Sequence, residues 1–401
     1  MNLHSDYPFW MIREGYKSAF PTLAESIRTE VLVIGGGISG ALIGHRLHKA
    51  GLEEAIVEKR HIGFGSTSAS TAMLQYEIDT PLFRLIEAMG EKAARRAYEI
   101  CAAAIGKLEK ICKKVPGGAS FEPHPSLYYA SSKKDAHGMV EPEYKARKAA
   151  GFQVEMLDGP AIAERFGFSA PAGILSALAA HVNPYQLTQY LLGNMQRSGV
   201  RIYDLTEVQG WHPGPKRVEL KTTKGHTITA KYLVVACGYE SQNYLPKNVT
   251  QLHSTYAIAS KPMEVDKRFW HKNALLWETK RPYLYLRTTG DNRILVGGRD
   301  EAFYNPEKRD ALLPKKRQQL EADFQKLFPD LPFQTDFAWA GTFGETKDGL
   351  PYIGSYNDPR TLFALGYGGN GITFSVAAAE ILTDAILGKK NKDAGLFGFD
   401  R

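Results

Sequence analysis

Three glycines in the run Gly35-Gly36-Gly37-Ile38-Ser39-Gly40 are spaced to hold a diphosphate. Gly35 permits a tight turn, Gly37 lets a pyrophosphate approach the backbone, and Gly40 lets a helix sit close to a strand. A helix opening at Ile38 and Ser39 turns its free N–H groups and positive dipole end toward the phosphate charge. Glu58 stands where an acidic side chain bonds a ribose hydroxyl, and it would repel a 2′-phosphate. Gly44 and Gly51 extend the pattern to a spacing commoner in FAD-binding than in NAD-binding units.

Other chemistries find little footing. His45 and His48 are three apart on one helix, but no third ligand lies near in sequence, so they read as a polar face and no metal is expected. His181 precedes Asn183-Pro184 and reads as a packed loop histidine. No serine or cysteine has a nucleophile-elbow setting. Cys101, Cys112 and Cys237 form no CxxC pair. A shared helix holds Cys101 and Cys112 about 16 Å apart, too far for a disulfide.

The elements that must position the glycine turn are readable from periodicity. A buried strand over 30–34, a helix over 39–50 ended by Gly51, and a strand over 55–58 make a βαβ unit. The spacing predicts a long amphipathic helix over 85–115, a strand near 127–130, and helices over 160–166 and 184–198. Strands follow at 200–203, 217–222 and 227–235. Residues 253–299 read as antiparallel strands, with 283–287 and 293–297 joined by a Gly290-Asp291-Asn292 turn. A helix over 315–327 and a glycine turn opening a small-residue helix over 366–386 complete the chain. Residues 1–28 form an aromatic lead, with Tyr7, Phe9, Trp10, Tyr16 and Phe20, expected to pack on the body.

A length of 401 residues exceeds one core, and no linker or repeat marks a boundary, so two domains discontinuous in sequence are expected. Hydrophobic residues make up 43% and charged residues 23%, which is ordinary globular composition. The formal charge of +7 is modest, and the basic clusters at 107–114 and 315–317 read as solvated helix faces, with no nucleic-acid signature. Apolar runs such as 232–237 are too short to cross a bilayer. The N-terminus lacks a signal-peptide core, so a cytoplasmic location is the default expectation.

At Arg60-His61-Ile62-Gly63-Phe64-Gly65-Ser66-Thr67-Ser68 the chain resembles the D-amino-acid oxidase (DAO) superfamily. Asn183-Pro184-Tyr185-Gln186-Leu187, Leu233-Val234-Val235-Ala236-Cys237-Gly238, Trp339-Ala340-Gly341 with Asp348-Gly349-Leu350-Pro351, and Gly369-Asn370-Gly371-Ile372-Thr373 match the same family in order. The resemblance implies an α/β fold: a Rossmann-like FAD-binding domain with a discontinuous antiparallel-sheet substrate domain. The FAD part would comprise 29–80, 150–245 and 335–395, and the substrate part 81–149 and 246–334. Lys59 and Arg60 would flank the ribose acid, while Gly65, Ser66, Thr67 and Ser68 would follow the diphosphate or ribityl chain. Val208 and Gly238 would border the nucleotide. Gly369, Asn370, Gly371, Ile372 and Thr373 would present helix N–H groups to the flavin edge.

The activity so implied is oxidation of an amine or amino-acid C–N bond by hydride transfer to the flavin, which needs orientation and desolvation more than acid–base residues. Substrate-pocket candidates are Tyr283, Arg287, Arg299, Phe343 and Thr373. Phe343 and Thr373 stand where glycine and sarcosine oxidases place a cation for the carboxylate. A larger amine is therefore expected, with any anionic group held by Arg287 or Arg299. Gly341 replaces the family's flavin-linking cysteine, so FAD would be bound without a covalent bond. Leu295 replaces the lysine that promotes reaction with oxygen, so oxygen or another acceptor would re-oxidise the flavin. A nicotinamide-dependent dehydrogenase shares the first βαβ unit but leaves 60–68 and 339–373 unexplained. An FAD-binding protein with an assembly or sensing role is the other reading.

Overall fold

The computed structural model describes residues 1–5, 7–264 and 269–401. Its first sheet grows from the apolar strand Ile27–Ile34, whose Val31, Leu32 and Val33 are wholly buried. Parallel neighbours flank it: Thr227–Val235 on one side, with Asp358–Leu365 beyond, and Glu54–Val57 on the other, with Arg201–Tyr203 beyond. An antiparallel edge strand, Tyr352–Tyr356, closes one side, and a hairpin of Val208–Pro213 and Val218–Thr222 branches from the Thr227–Val235 strand. Continuous burial of the central strands fits a parallel sheet covered on both faces. The glycine helix Ile38–Lys49 packs between the helices Pro184–Arg197 and Gly371–Ile386.

The second sheet has nine strands and is antiparallel except where Leu275–Glu278 runs parallel to Glu122–Tyr129. Its order runs from Thr335–Glu345 through Gln251–Ser260, Ile294–Glu301 and Tyr285–Thr288 to Ala172–His181 and Met73–Gln75. The helix Pro306–Leu327 covers one face, burying Leu320 and Phe324. Strands at Met73–Gln75, Val154–Asp158, Ala172–His181 and Thr335–Glu345 fall within segments expected to build the nucleotide part, yet they belong to this sheet. Strand periodicity shows which face of a strand is buried and not which sheet it joins.

Other expectations change in detail. The helix expected over 85–115 is two helices, Leu82–Met89 and Glu91–Cys112, separated by Gly90 at φ +84. The helix expected from 315 begins at Pro306, capped by the Asn305 side chain accepting from the Lys308 N–H, and it carries Pro314 inside. Lys316 does not join a solvated face. It is buried and donates to the Glu301 carboxylate and the Arg299 carbonyl. In the aromatic lead Phe9, Trp10 and Phe20 are buried, while Tyr7 and Tyr16 remain exposed. All three cysteines are free, and among the described residues no helix is long and apolar enough to cross a membrane.

Candidate functional site

The glycine turn has the close approaches its spacing requires. A Cβ on Gly40 would lie 1.8 Å from the Gly35 carbonyl oxygen, and one on Gly35, at φ +114, would lie 2.3 Å from that of Ala236. Helix and strand therefore touch through backbone alone. The Ile38 N–H donates to Thr67 Oγ1 at 2.9 Å, and the hydroxyls of Ser39 and Ser375 meet at 2.7 Å, tying the glycine helix to the C-terminal one. Glu58 accepts from the N–H groups of Gly36 and Arg60, both at 2.8 Å. Burial pushes its carboxyl pKa up against those two bonds. Lys59 and Arg60 converge on Glu240 at 2.7 and 3.0 Å. Burial opposes ionisation of Glu240, but the bonds from Arg60 and Lys59 pull its pKa down to about 2.

A cavity of about 500 Å³ runs from this turn to the second sheet, a size typical of small-molecule sites. Gly35, Gly37, Ile38, Ser39, Glu58, Lys59 and Arg60 line its glycine-turn end together with Val208 and Gly238. Gly65, Ser66 and Thr67 follow, and Gly341, Gly369, Gly371 and Ile372 border the opposite end. Ser66 Oγ and Tyr367 Oη are buried, lack a hydrogen-bond partner, and belong to this lining. Such atoms are costly unless a ligand satisfies them, so the cradle fits a dinucleotide with polar atoms along its length. Four expected residues stand behind the wall. Gly40 packs on Gly35, Ser68 bonds the Gly65 carbonyl, Asn370 donates to the carbonyls of Gln75 and Glu77, and Thr373 donates to the Asn370 carbonyl.

At the second sheet the pocket differs from expectation. Tyr283 and Phe343 line it, but Arg287, Arg299 and Thr373 do not. Arg299 has φ +58 and grips Asp323 on the covering helix, with Nε 2.6 Å from Oδ2. Arg287 is buried behind the lining, donating to the carbonyls of Thr71 and Thr288 with its guanidinium 5.6 Å from the Trp10 ring. Burial, then repulsion from Arg13, lowers its pKa to about 9.

Sequence reasoning missed Asp300, which lines the pocket with Oδ1 buried and unpartnered. Burial raises its pKa to about 7, repulsion from Glu345 and Asp79 adds to the rise, and the nearby Thr255 hydroxyl and Arg281 guanidinium oppose it. Tyr239 and Tyr285 join Tyr283 in the lining. Tyr283 Oη donates to Asp79 Oδ1 at 3.1 Å, and Asp79 Oδ2 accepts from the Gly369 N–H at 2.7 Å. The neighbourhood is rich in carboxylate and aromatic groups.

Comparison with known proteins agrees with this architecture. The family model described as "FAD dependent oxidoreductase" (DAO) matches residues 30–385. The chain is 27% identical to gamma-glutamylputrescine oxidoreductase of Escherichia coli (strain K12), over 92% of this chain and 86% of that protein. It is also 27% identical to glycine oxidase of Bacillus licheniformis, over 93% and 96%. Among solved structures, glycine oxidase from Geobacillus kaustophilus superposes with a TM-score of 0.77 at 21% identity, covering 93% of this chain and 99% of that one. L-proline dehydrogenase from P. horikoshii gives the same TM-score at 20% identity, covering 94% and 97%. A glycine cradle on a parallel sheet, an antiparallel sheet closing the cavity and a family match across most of the sequence converge, and the chain belongs to the DAO family of FAD-dependent oxidoreductases.

Proposed function

We propose that the protein oxidises the C–N bond of an amine that carries a positive charge, with Asp300 receiving that charge. The observation that supports this most is the Asp300 carboxylate oxygen, buried in the pocket lining without a partner. A buried carboxylate is costly alone and is satisfied by a cation or by taking up a proton. With a pKa of about 7 it does either near neutral pH. A substrate ammonium transfers a proton to Asp300 Oδ1, leaving the neutral amine whose carbon can lose a hydride as the C–N bond becomes the C=N bond of an iminium ion, which releases a proton to give the imine. FAD, when bound, supplies the two-electron acceptor.

The pocket's own residues orient the amine and exclude water. Tyr283 is fixed by Asp79, and the Tyr285 ring lies against Gly297, where a Cβ would come within 2.2 Å of it. These rings wall the pocket, and the Arg281 guanidinium stands over the Tyr283 ring, 4.7 Å from its centroid. Phe343, stacked on His253 at 5.2 Å, supplies an uncharged wall. The E. coli relative is a gamma-glutamylputrescine oxidoreductase, which accords with a pocket for a putrescine-type amine. Product analysis tests the reading. Incubation of the holoenzyme with mono-acylated putrescine should yield aldehyde and ammonia in equal amounts, since the imine hydrolyses. No aldehyde from any ammonium-bearing amine would refute it.

A further inference from the structure

A second cluster of chemistry-bearing side chains lies beside this cavity. Glu122 and His124 are two apart on the strand Glu122–Tyr129, so both point to one face. His181, on the neighbouring antiparallel strand, pairs directly with Glu122 and brings its ring to the same side. Glu122 Oε2 is 3.5 Å from His124 Nε2 and 3.6 Å from His181 Nε2. The three ligand atoms all lie within 4.8 Å of one another. Two tetrahedral ligands on one zinc ion stand about 3.3–3.5 Å apart, given metal–ligand bonds near 2.0–2.1 Å. The observed carboxylate–imidazole spacings fall close to that range.

The histidines are set up as ligands. His181 is 2% exposed and both its ring nitrogens lack a hydrogen-bond partner. His124 Nδ1 faces the Lys272 carbonyl oxygen at 3.1 Å, so that nitrogen carries the proton and Nε2 keeps its lone pair for the cluster. His124 Nε2 is also buried without a hydrogen-bond partner. The Glu122 side chain is 45% exposed, which leaves an entry path and an open fourth position.

We propose that Glu122, His124 and His181 bind one divalent transition-metal ion of the zinc class. Arg287 and Arg13 place positive charge near His181. The same positive charges disfavour a hard cation held by charge alone, whereas imidazole coordination selects zinc over magnesium or calcium. Met73, which pairs with His181 on the next strand, lines the FAD cavity, so the ion would sit one strand from the pocket wall.

The test is equilibrium dialysis of the FAD-loaded protein, first stripped with EDTA and then offered zinc or magnesium. Wild type should retain one equivalent of zinc and no magnesium. His124→Ala should weaken zinc binding by at least about tenfold, and Glu122→Gln should weaken it measurably. Both variants should keep their full flavin absorbance, which reports an intact fold independently of turnover. Failure of wild type to retain zinc, or undiminished binding by both variants, would overturn the site whatever the substrate proves to be.

Discussion

Arg299 and Asp300 are neighbours in sequence, yet they serve opposite faces of the second sheet: Arg299 grips Asp323 on the outer helix, and Asp300 enters the pocket lining. A bulge produces this. Tyr256 pairs with Gly298 but Ser254 pairs with Glu301, so the Ile294–Glu301 strand carries one extra residue, and Arg299 takes up the left-handed conformation there. Regular alternation from Gly297 would have turned Arg299 inward. The bulge replaces a cation with a carboxylate at the pocket.

Asp300→Asn should therefore spare FAD binding and impair reduction by charged amines. Loss of a charge-assisted contact of about 1.5–3 kcal/mol corresponds to roughly ten- to hundredfold in efficiency. The pH profile carries the sign. Below its pKa of about 7 Asp300 is protonated and can neither hold an ammonium nor take its proton, so wild-type efficiency should fall as pH drops through that value. Stopped-flow reduction from pH 5.5 to 9 should show this limb in wild type and its loss in the variant.

Gly37→Val should give folded, colourless protein. The Cβ at 37 meets only Thr67 Oγ1 at 3.0 Å, so the strain falls on the diphosphate cradle and not on the core. Circular dichroism like that of wild type without flavin absorbance is the expected pair of readings. Gly40→Val, with its Cβ 1.8 Å from the Gly35 carbonyl oxygen, should instead fail to fold.

Acid precipitation should leave the yellow colour in the supernatant. Gly341 faces the cavity and has no sulfur to link a flavin. Cys237 lines the glycine-turn end, and burial pushes its thiol pKa up, which keeps it unreactive. Flavin remaining with the pellet would show a covalent bond.

Arg147→Met should destabilise the fold by about 3–5 kcal/mol, since breaking a buried pair leaves charge uncompensated. Arg147 is wholly buried, with Nε 2.6 Å from Glu143 and Nη1 3.2 Å from Glu77. Urea denaturation followed by tryptophan fluorescence measures the loss. A change below about 1 kcal/mol would mean that the triad contributes little net stability.

Local signals made the glycine-turn half of the cavity legible. Gly35, Gly37, Glu58 and Ser66 lie within one βαβ unit and the loop after it, where spacing along the chain is close to spacing in space. The substrate half depended on long-range geometry. Residues 299 and 300 exchange faces through a single bulge, which no periodicity reveals. Glu122, His124 and His181 meet only because two strands pair in one register. Arg287 carries the charge of an anion site, but its partners are backbone carbonyls at Thr71 and Thr288, which have no signature in side-chain sequence. Gly90, read within a continuous amphipathic pattern, broke a helix because its φ of +84 suits glycine.

The most direct test of the central claim is anaerobic titration of the bound flavin with a matched set of amines. Mono-acylated putrescine and a longer diamine should bleach the flavin at lower concentration than glycine, sarcosine or D-proline, and the preference should shrink in Asp300→Asn. Rapid reduction by glycine or sarcosine at sub-millimolar concentration, unchanged in Asp300→Asn, would contradict a pocket in which Asp300 selects amines of net positive charge over zwitterions.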